Sequence, residues 1–185
     1  MNEVATVAEG APAASVAIRP LTAGEATARL GELAAVLVDA VVHGASVNFL
    51  AGLTAQEAAG FWRSQLPGFG DGGRVLIVAE EGGRIVGTVI LTYAHQPNAP
   101  HRAEIGKMLV LASHRRRGIG RSLLTAAEET ARAAGRTLLL LDTQTGSAGE
   151  ALYRACGWQE FGVVPDHALA TDGVPAATTF FYKKL

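Results

Sequence analysis

Arg115-Arg116-Arg117-Gly118-Ile119-Gly120-Arg121 sets four guanidinium groups and two glycines within seven residues. That composition suits a phosphate. If the segment opens a helix, its first N–H groups have no intrahelical partner and the helix dipole adds partial positive charge at the same point. A pyrophosphate can then accept several backbone hydrogen bonds, with glycine allowing close approach and arginine adding charge. Two familiar phosphate motifs are absent: the chain has no G-x-x-x-x-G-K-[ST] loop and no G-x-G-x-x-G fingerprint. Glu104 and Asp142 are a second feature, because each interrupts an apolar run, Ala103 to Leu111 and Leu138 to Asp142. An unpaired acid on a central strand is costly to bury and usually marks a site. Each also has an ordinary alternative: Glu104 can pair with Arg102 or Lys107, and Asp142 can cap the turn before Ser147.

The elements that must position these groups follow from the apolar periods. Val16 to Arg19 predicts a strand stopped by Pro20, and the box Thr22-x-x-Glu25 opens a helix with Leu30, Leu33, Leu37 and Val41 on one face. A second box, Thr54-x-x-Glu57, opens a helix carrying Ala58, Phe61, Trp62 and Leu66. Arg74 to Glu80 and Arg84 to Tyr93, joined by Glu81-Gly82-Gly83, predict a hairpin. Ala103 to Leu111 is a third strand, with Gly106 marking a bulge or a close backbone approach. A helix over Gly118 to Ala134 and a strand over Arg136 to Asp142 complete a right-handed βαβ unit. Ser147 to Cys156 is a short helix, and Gly157 to Val164 and Thr178 to Tyr182 are the last strands, with Asp166 to Pro175 a polar connecting loop. The order is β-α-α-β-β-β-α-β-α-β-β, a single α/β domain over 16–185 with a mixed, mostly antiparallel sheet flanked by helices. Residues 1–15, small and aperiodic, are expected to form a disordered tail.

The chain has 185 residues and a net charge of −1 from 16 basic and 17 acidic groups, which argues against a general nucleic-acid binder. No apolar run approaches the roughly 20 residues of a membrane span, and the N-terminus lacks the basic and apolar regions of a signal peptide. A cytoplasmic location is expected. The one cysteine, Cys156, excludes an internal disulfide and reads as a small buried apolar residue. His95, His101, His114 and His167 lack the spacing of metal ligands, so no metal is expected.

The phosphate segment resembles the pyrophosphate loop [QR]-x-x-G-x-[GA] of the GCN5-related N-acetyltransferases: Arg115, Gly118 and Gly120 fit it in full. The same family carries Leu-Tyr followed by Gly and an aromatic, matched by Leu152-Tyr153 and Gly157-Trp158. The likeness covers about 16–185. It implies an acetyl-CoA-dependent N-acetyltransferase that moves an acetyl group directly to an amine. By the resemblance, Arg115, Arg116, Arg117, Gly118, Ile119, Gly120, Arg121 and Ser122 hold the pyrophosphate, while Met108, Leu109 and Val110 pair with the pantetheine arm and face an N–H to the thioester oxygen. Glu104 and Asp142 are candidates for the base that takes the amine's proton, and Tyr153 for the acid that protonates the departing thiolate. Gly146 stands where the family carries an Asn. His43-Gly-Ala-Ser-Val47, Gln96-Pro-Asn98, Arg102-Ala-Glu104, Lys107-Met-Leu-Val110 and Leu141-Asp-Thr143 look like the tabtoxin-resistance branch of the family, which acetylates a β-lactam amino-acid toxin. That likeness implies antibiotic-type resistance and puts His43, Ser46 and Asn48 beside a small-molecule amine acceptor, in a monomer or homodimer. A peptide or protein N-acetyltransferase and a non-catalytic acyl-CoA-binding module are the competing readings.

Overall fold

The computed structural model describes residues 15–185, so the expected tail over 1–15 falls almost wholly outside the described residues. The elements are β1 (Ala17–Leu21), α1 (Ala23–Ala28), α2 (Leu30–Val42), α3 (Ala55–Gly70), β2 (Arg74–Glu81), β3 (Arg84–Tyr93) and β4 (Arg102–Val110). A 3-10 turn (Ala112–His114) leads to α4 (Ile119–Ala133), β5 (Leu138–Gln144), α5 (Ala148–Ala155), β6 (Gln159–Leu169) and β7 (Pro175–Lys184). The strands form one seven-stranded sheet in the order β1-β2-β3-β4-β5-β7-β6. Only β4 and β5 run parallel, joined by α4 as the expected βαβ unit.

Apolar side chains leave both faces of this sheet. Ile119, Leu123, Leu124, Ala127 and Ala131 of α4 pack on one face against Ala103, Ile105, Leu139 and Leu141. On the other face Leu33, Leu37, Ala58 and Trp62 of α2 and α3 meet Leu76, Val78 and Ile90. Both T-x-x-E boxes form reciprocal caps, at Thr22 with Glu25 and at Thr54 with Glu57.

Three boundaries differ from expectation. The first predicted helix is two, broken at Arg29 (φ −114°, ψ 20°). Arg29 there donates to Glu32 at 2.7 and 2.8 Å, to the Gly83 carbonyl at 2.9 Å, and to Glu80. The break lets the arginine anchor the helices to the β2–β3 hairpin. Pro20 does not stop β1, since it pairs opposite Ile77 on an edge strand, where a missing N–H costs no ladder bond on the solvent side. The last strands are longer than predicted, and half of the expected loop Asp166 to Pro175 is strand, with the turn confined to 170–174. Residues 165–167 face Ala177 alone, a bulge with Asp166 at φ +51° that absorbs the polar segment.

Glu128 of α4, 7% exposed, ties the far side together. It accepts two hydrogen bonds from Lys183 Nζ at 2.8 Å and one from Trp158 Nε1 at 3.2 Å. Glu128→Ala strands an ammonium and an indole N–H, and is expected to lower stability by about 2–4 kcal/mol. Urea denaturation checks this, and a loss below about 0.5 kcal/mol, the range of ordinary surface changes, would contradict it.

A fork between two strands and an uncapped helix

β4 and β5 pair only from Arg102↔Leu138 to Glu104↔Leu140 and then part. The break in β4's regularity coincides with that parting. Against β3, Thr88 pairs with Leu109 and Ile90 with Gly106, so Lys107 and Met108 together oppose Val89. Gly106 therefore opens a bulge, as expected, but a Cβ there would meet nothing, and no close approach explains it. The residue in the left-handed region is Lys107, at φ +47°. Buried Thr88 fixes the bulge, its Oγ1 donating to the Lys107 carbonyl at 2.9 Å. Beyond it Met108 and Val110 join the α4-side core while Leu109 turns to the opposite core. The β5-facing edge of Met108, Leu109 and Val110 has no strand partner, which leaves it open to an extended, amide-bearing chain.

The Arg-rich segment opens α4 at the mouth of this fork. Thr22, Thr54 and Ser147 cap α1, α3 and α5 with side chains, but α4 starts at Gly118, φ +83°, with no side-chain cap. Its first intrahelical bond runs from the Ser122 N–H to the Gly118 carbonyl at 3.1 Å. The N–H groups of Ile119, Gly120 and Arg121 precede that bond and, among the described residues, are free for an anion. The four arginines do not act alike. Arg117 pairs with Glu81 at 2.5 Å and His114 meets the same carboxylate at 2.9 Å, holding that acid below its usual range. Arg115 donates to the Val110 carbonyl at 3.1 Å and lies 4.0 Å from the carboxylate of Asp39, which accepts a hydrogen bond from the Ala112 N–H at 2.8 Å. These two brace the loop. Arg116 and Arg121 are exposed and unpaired among the described residues. Gly120 serves packing, since a Cβ there would lie 3.1 Å from Leu152 and 3.3 Å from Met108.

Glu104 and Asp142 share one side of the sheet, because Glu104 lies opposite Leu140 and Asp142 follows it by two. Contrary to the expectation of burial, both are exposed. Glu104 is the last paired residue of β4 and Asp142 lies two beyond the last paired residue of β5, and neither forms the predicted ion pair or cap among the described residues. Asp142 is the charged neighbour of two other groups. Tyr153, 6% exposed, packs between Trp158 and Phe181 at ring distances of 6.1 and 6.2 Å. Burial first, then the charges of Asp142 and Cys156, push its phenol up, so the hydroxyl holds its proton. It has no hydrogen-bond partner among the described residues and is not sealed from solvent. Burial pushes the Lys107 ammonium down, and Asp142 draws it partly back.

Ser46 and Asn48 line one cavity of about 210 Å³ with Phe49, Leu50, Ala168 and Leu169. His43 does not line it. Its Nδ1 sits 2.8 Å from the Asp39 carbonyl at the end of α2. The expected trio is thus two residues and a neighbour on the loop side. A larger cavity, about 400 Å³ around Asp71, Tyr93, His95 and Arg136, lies at the opposite end of the strands. Cys156 is half-buried against the α4-side core, close to its expected role. Phe49, Leu169 and Lys107 were not singled out from sequence as site residues. The signal for Lys107 was present, since the apolar positions on β4 slip from 103 and 105 to 108 and 110. Among the described residues no group of His, Cys, Asp and Glu could hold a metal, and no helix is long and apolar enough to cross a membrane.

The acetyltransferase (GNAT) family model matches residues 49–158, from the cavity's Phe49 to Trp158. Among solved structures, ribosomal-protein-alanine N-acetyltransferase from Brucella melitensis is similar at 26% identity and a TM-score of 0.70, over 91% of this chain and 99% of that one. An N-acetyltransferase from Staphylococcus aureus Mu50 gives 19% identity and 0.75, over 92% and 98%. A candidate acetyltransferase from Salmonella typhimurium, solved with its cofactor acetyl-CoA, gives 19% and 0.73, over 92% and 94%.

Proposed function

Because the chain belongs to the acetyltransferase (GNAT) family, we propose that it is a cytoplasmic, acetyl-CoA-dependent N-acetyltransferase that acts directly on the amine of a small molecule. The observation that carries this reading is the uncapped start of α4 at the mouth of the β4–β5 fork. Acetyl-CoA supplies a thioester as acyl donor. The free N–H groups of Ile119, Gly120 and Arg121, with Arg116 and Arg121, fit its pyrophosphate. The open edge of Met108 to Val110 fits its amide-bearing arm, and an N–H of that edge is suited to the carbonyl oxygen. Asp142, whose charge is felt by both Tyr153 and Lys107, takes the proton of the acceptor ammonium, with Glu104 on the same side in support. Tyr153, protonated at every physiological pH, gives its proton to the leaving thiolate.

A cavity of about 210 Å³ favours a small acceptor over a peptide. A β-lactam amino-acid toxin or another antibiotic-like amine is the class we put first, on the tabtoxin-resistance likeness. The peptide reading draws on the similarity to a ribosomal-protein-alanine enzyme. A non-catalytic acyl-CoA module has no use for two exposed acids where β4 and β5 part and a buried tyrosine within reach of Asp142's charge. Coenzyme A release from acetyl-CoA, followed across tabtoxinine-β-lactam, aminoglycosides, polyamines and short peptides, tests the proposal. Turnover on a small amine is expected, and tight cofactor binding with no turnover on any class would move the reading to the binding module. Tyr153→Phe is expected to lower kcat by about 10²-fold while leaving the Kd for coenzyme A within about twofold. A matched loss of kcat and affinity would assign Tyr153 to packing.

A further inference from the structure

Lys107 is an odd residue to find at the bulge. A non-glycine side chain at φ +47° is strained, and glycine stands unused at the next position back. Its Nζ lies 5.0 Å from the Phe61 ring centroid and 5.9 Å from that of Phe49, two rings packed edge to face at 5.5 Å. Rings attract the charge but accept none of the three N–H bonds that an ammonium offers. Among the described residues Lys107 Nζ makes no hydrogen bond and no ion pair, although it is largely withdrawn from water. Phe49, one of its two rings, is also a wall of the cavity shared by Ser46, Asn48 and Leu169.

From Glu104 onward β4 and β5 carry three charges: two carboxylates, Glu104 and Asp142, and one ammonium, Lys107, without a hydrogen-bonding partner among the described residues. An acceptor carrying only an amine answers the carboxylates and leaves Lys107 unanswered. An acceptor carrying an amine and a carboxylate answers all three. We infer that Lys107 is a specificity-determining residue that receives the carboxylate of an amphoteric acceptor whose amine is directed to Asp142. This rests on the transfer reading above for the direction of the amine, and on the ring geometry alone for the site of the carboxylate.

The test uses the intact chain labelled with [ε-¹³C]lysine, which has only Lys107, Lys183 and Lys184 to resolve. Lys107→Arg assigns the signal by its loss, and ring-current shift from Phe49 and Phe61 marks it independently. Glycine, L-glutamine and L-methionine, each beside its C-terminal amide, are titrated to about 50 mM, enough to see millimolar complexes. The Lys107 signal is expected to move with the acids and not with the amides, the acids binding at least about tenfold tighter. In Lys107→Met that preference is expected to fall to within twofold. A signal that no acid moves, or that acids and amides move alike, overturns the assignment, and the wild-type titration decides it even where Lys107→Met fails to fold. Coenzyme A release is scored separately on the same probes. Acids that bind at Lys107 while no amine of the wider panel turns over keep this inference and defeat the transfer reading, whereas equal turnover of acids and amides does the reverse.

Discussion

Asp142→Asn is expected to lower kcat at neutral pH by about 10²–10⁴-fold, the range over which a positioned general base acts, with the affinity for coenzyme A unchanged. The reason is the protonation state of the acceptor. A free amine with a pKa near that of lysine, about 10.4, is almost wholly ammonium at pH 7 and cannot attack until the proton leaves. Asparagine keeps the size and the side of the sheet but accepts no proton at that pH. The loss should shrink as pH rises towards the amine's own pKa, because solution then supplies the neutral form. Glu104→Gln should show the same pH trend with a smaller loss, since Asp142 rather than Glu104 is the charge felt by both Tyr153 and Lys107. Asp142 is exposed and unpaired among the described residues, so the substitution should change stability by no more than about 0.5 kcal/mol. A deficit that stays constant across the pH range would point to lost binding or geometry and remove Asp142 from the proton's path.

How much of this was legible in the chain depends on how far each determinant reaches. The hairpin at Glu81 to Gly83, the T-x-x-E caps and the apolar face of α4 are set by neighbours in sequence, and all three stand where the residues placed them. The break at Arg29 was not legible, because it is made by Glu80 and Gly83, 51 and 54 positions away. The loop arginines show the same limit. Their number pointed to an anion, but the division between bracing Arg117 and Arg116, unpaired among the described residues, is set by Glu81, 36 positions upstream. Glu104 and Asp142 were picked out on the premise of burial, yet both are exposed. They stand where β4–β5 pairing ends, at Glu104, which periodicity does not announce. The slip in β4's alternation was visible at Gly106 and Lys107, while the two rings that hold Lys107 come from Phe49 and Phe61, more than 40 residues earlier.

Gly118 offers the sharper test of the cofactor side, because its role separates from that of Gly120. A Cβ at Gly118 would meet nothing within 4 Å, so replacing it acts through the backbone at φ +83° alone. Holding valine there costs about 1–3 kcal/mol. The loop relieves the strain by rotating, which turns the free N–H groups of Ile119 and Gly120 away from a common point. Gly118→Val is therefore expected to raise the Kd for coenzyme A by about 10- to 100-fold, or about 1.4–2.8 kcal/mol, by isothermal titration. Gly120 has ordinary φ, but its Cβ would press on Leu152 and Met108, so Gly120→Val should separate α5 from β4 and show first as a lower melting temperature. The two variants should thus fail in different measurements. Should Gly118→Val bind coenzyme A as the unaltered chain does, the uncapped end of α4 is not where the pyrophosphate sits. The four arginines would then be a solvated turn braced on Glu81 and Asp39, and the fork would have to hold its ligand by the β4 edge alone.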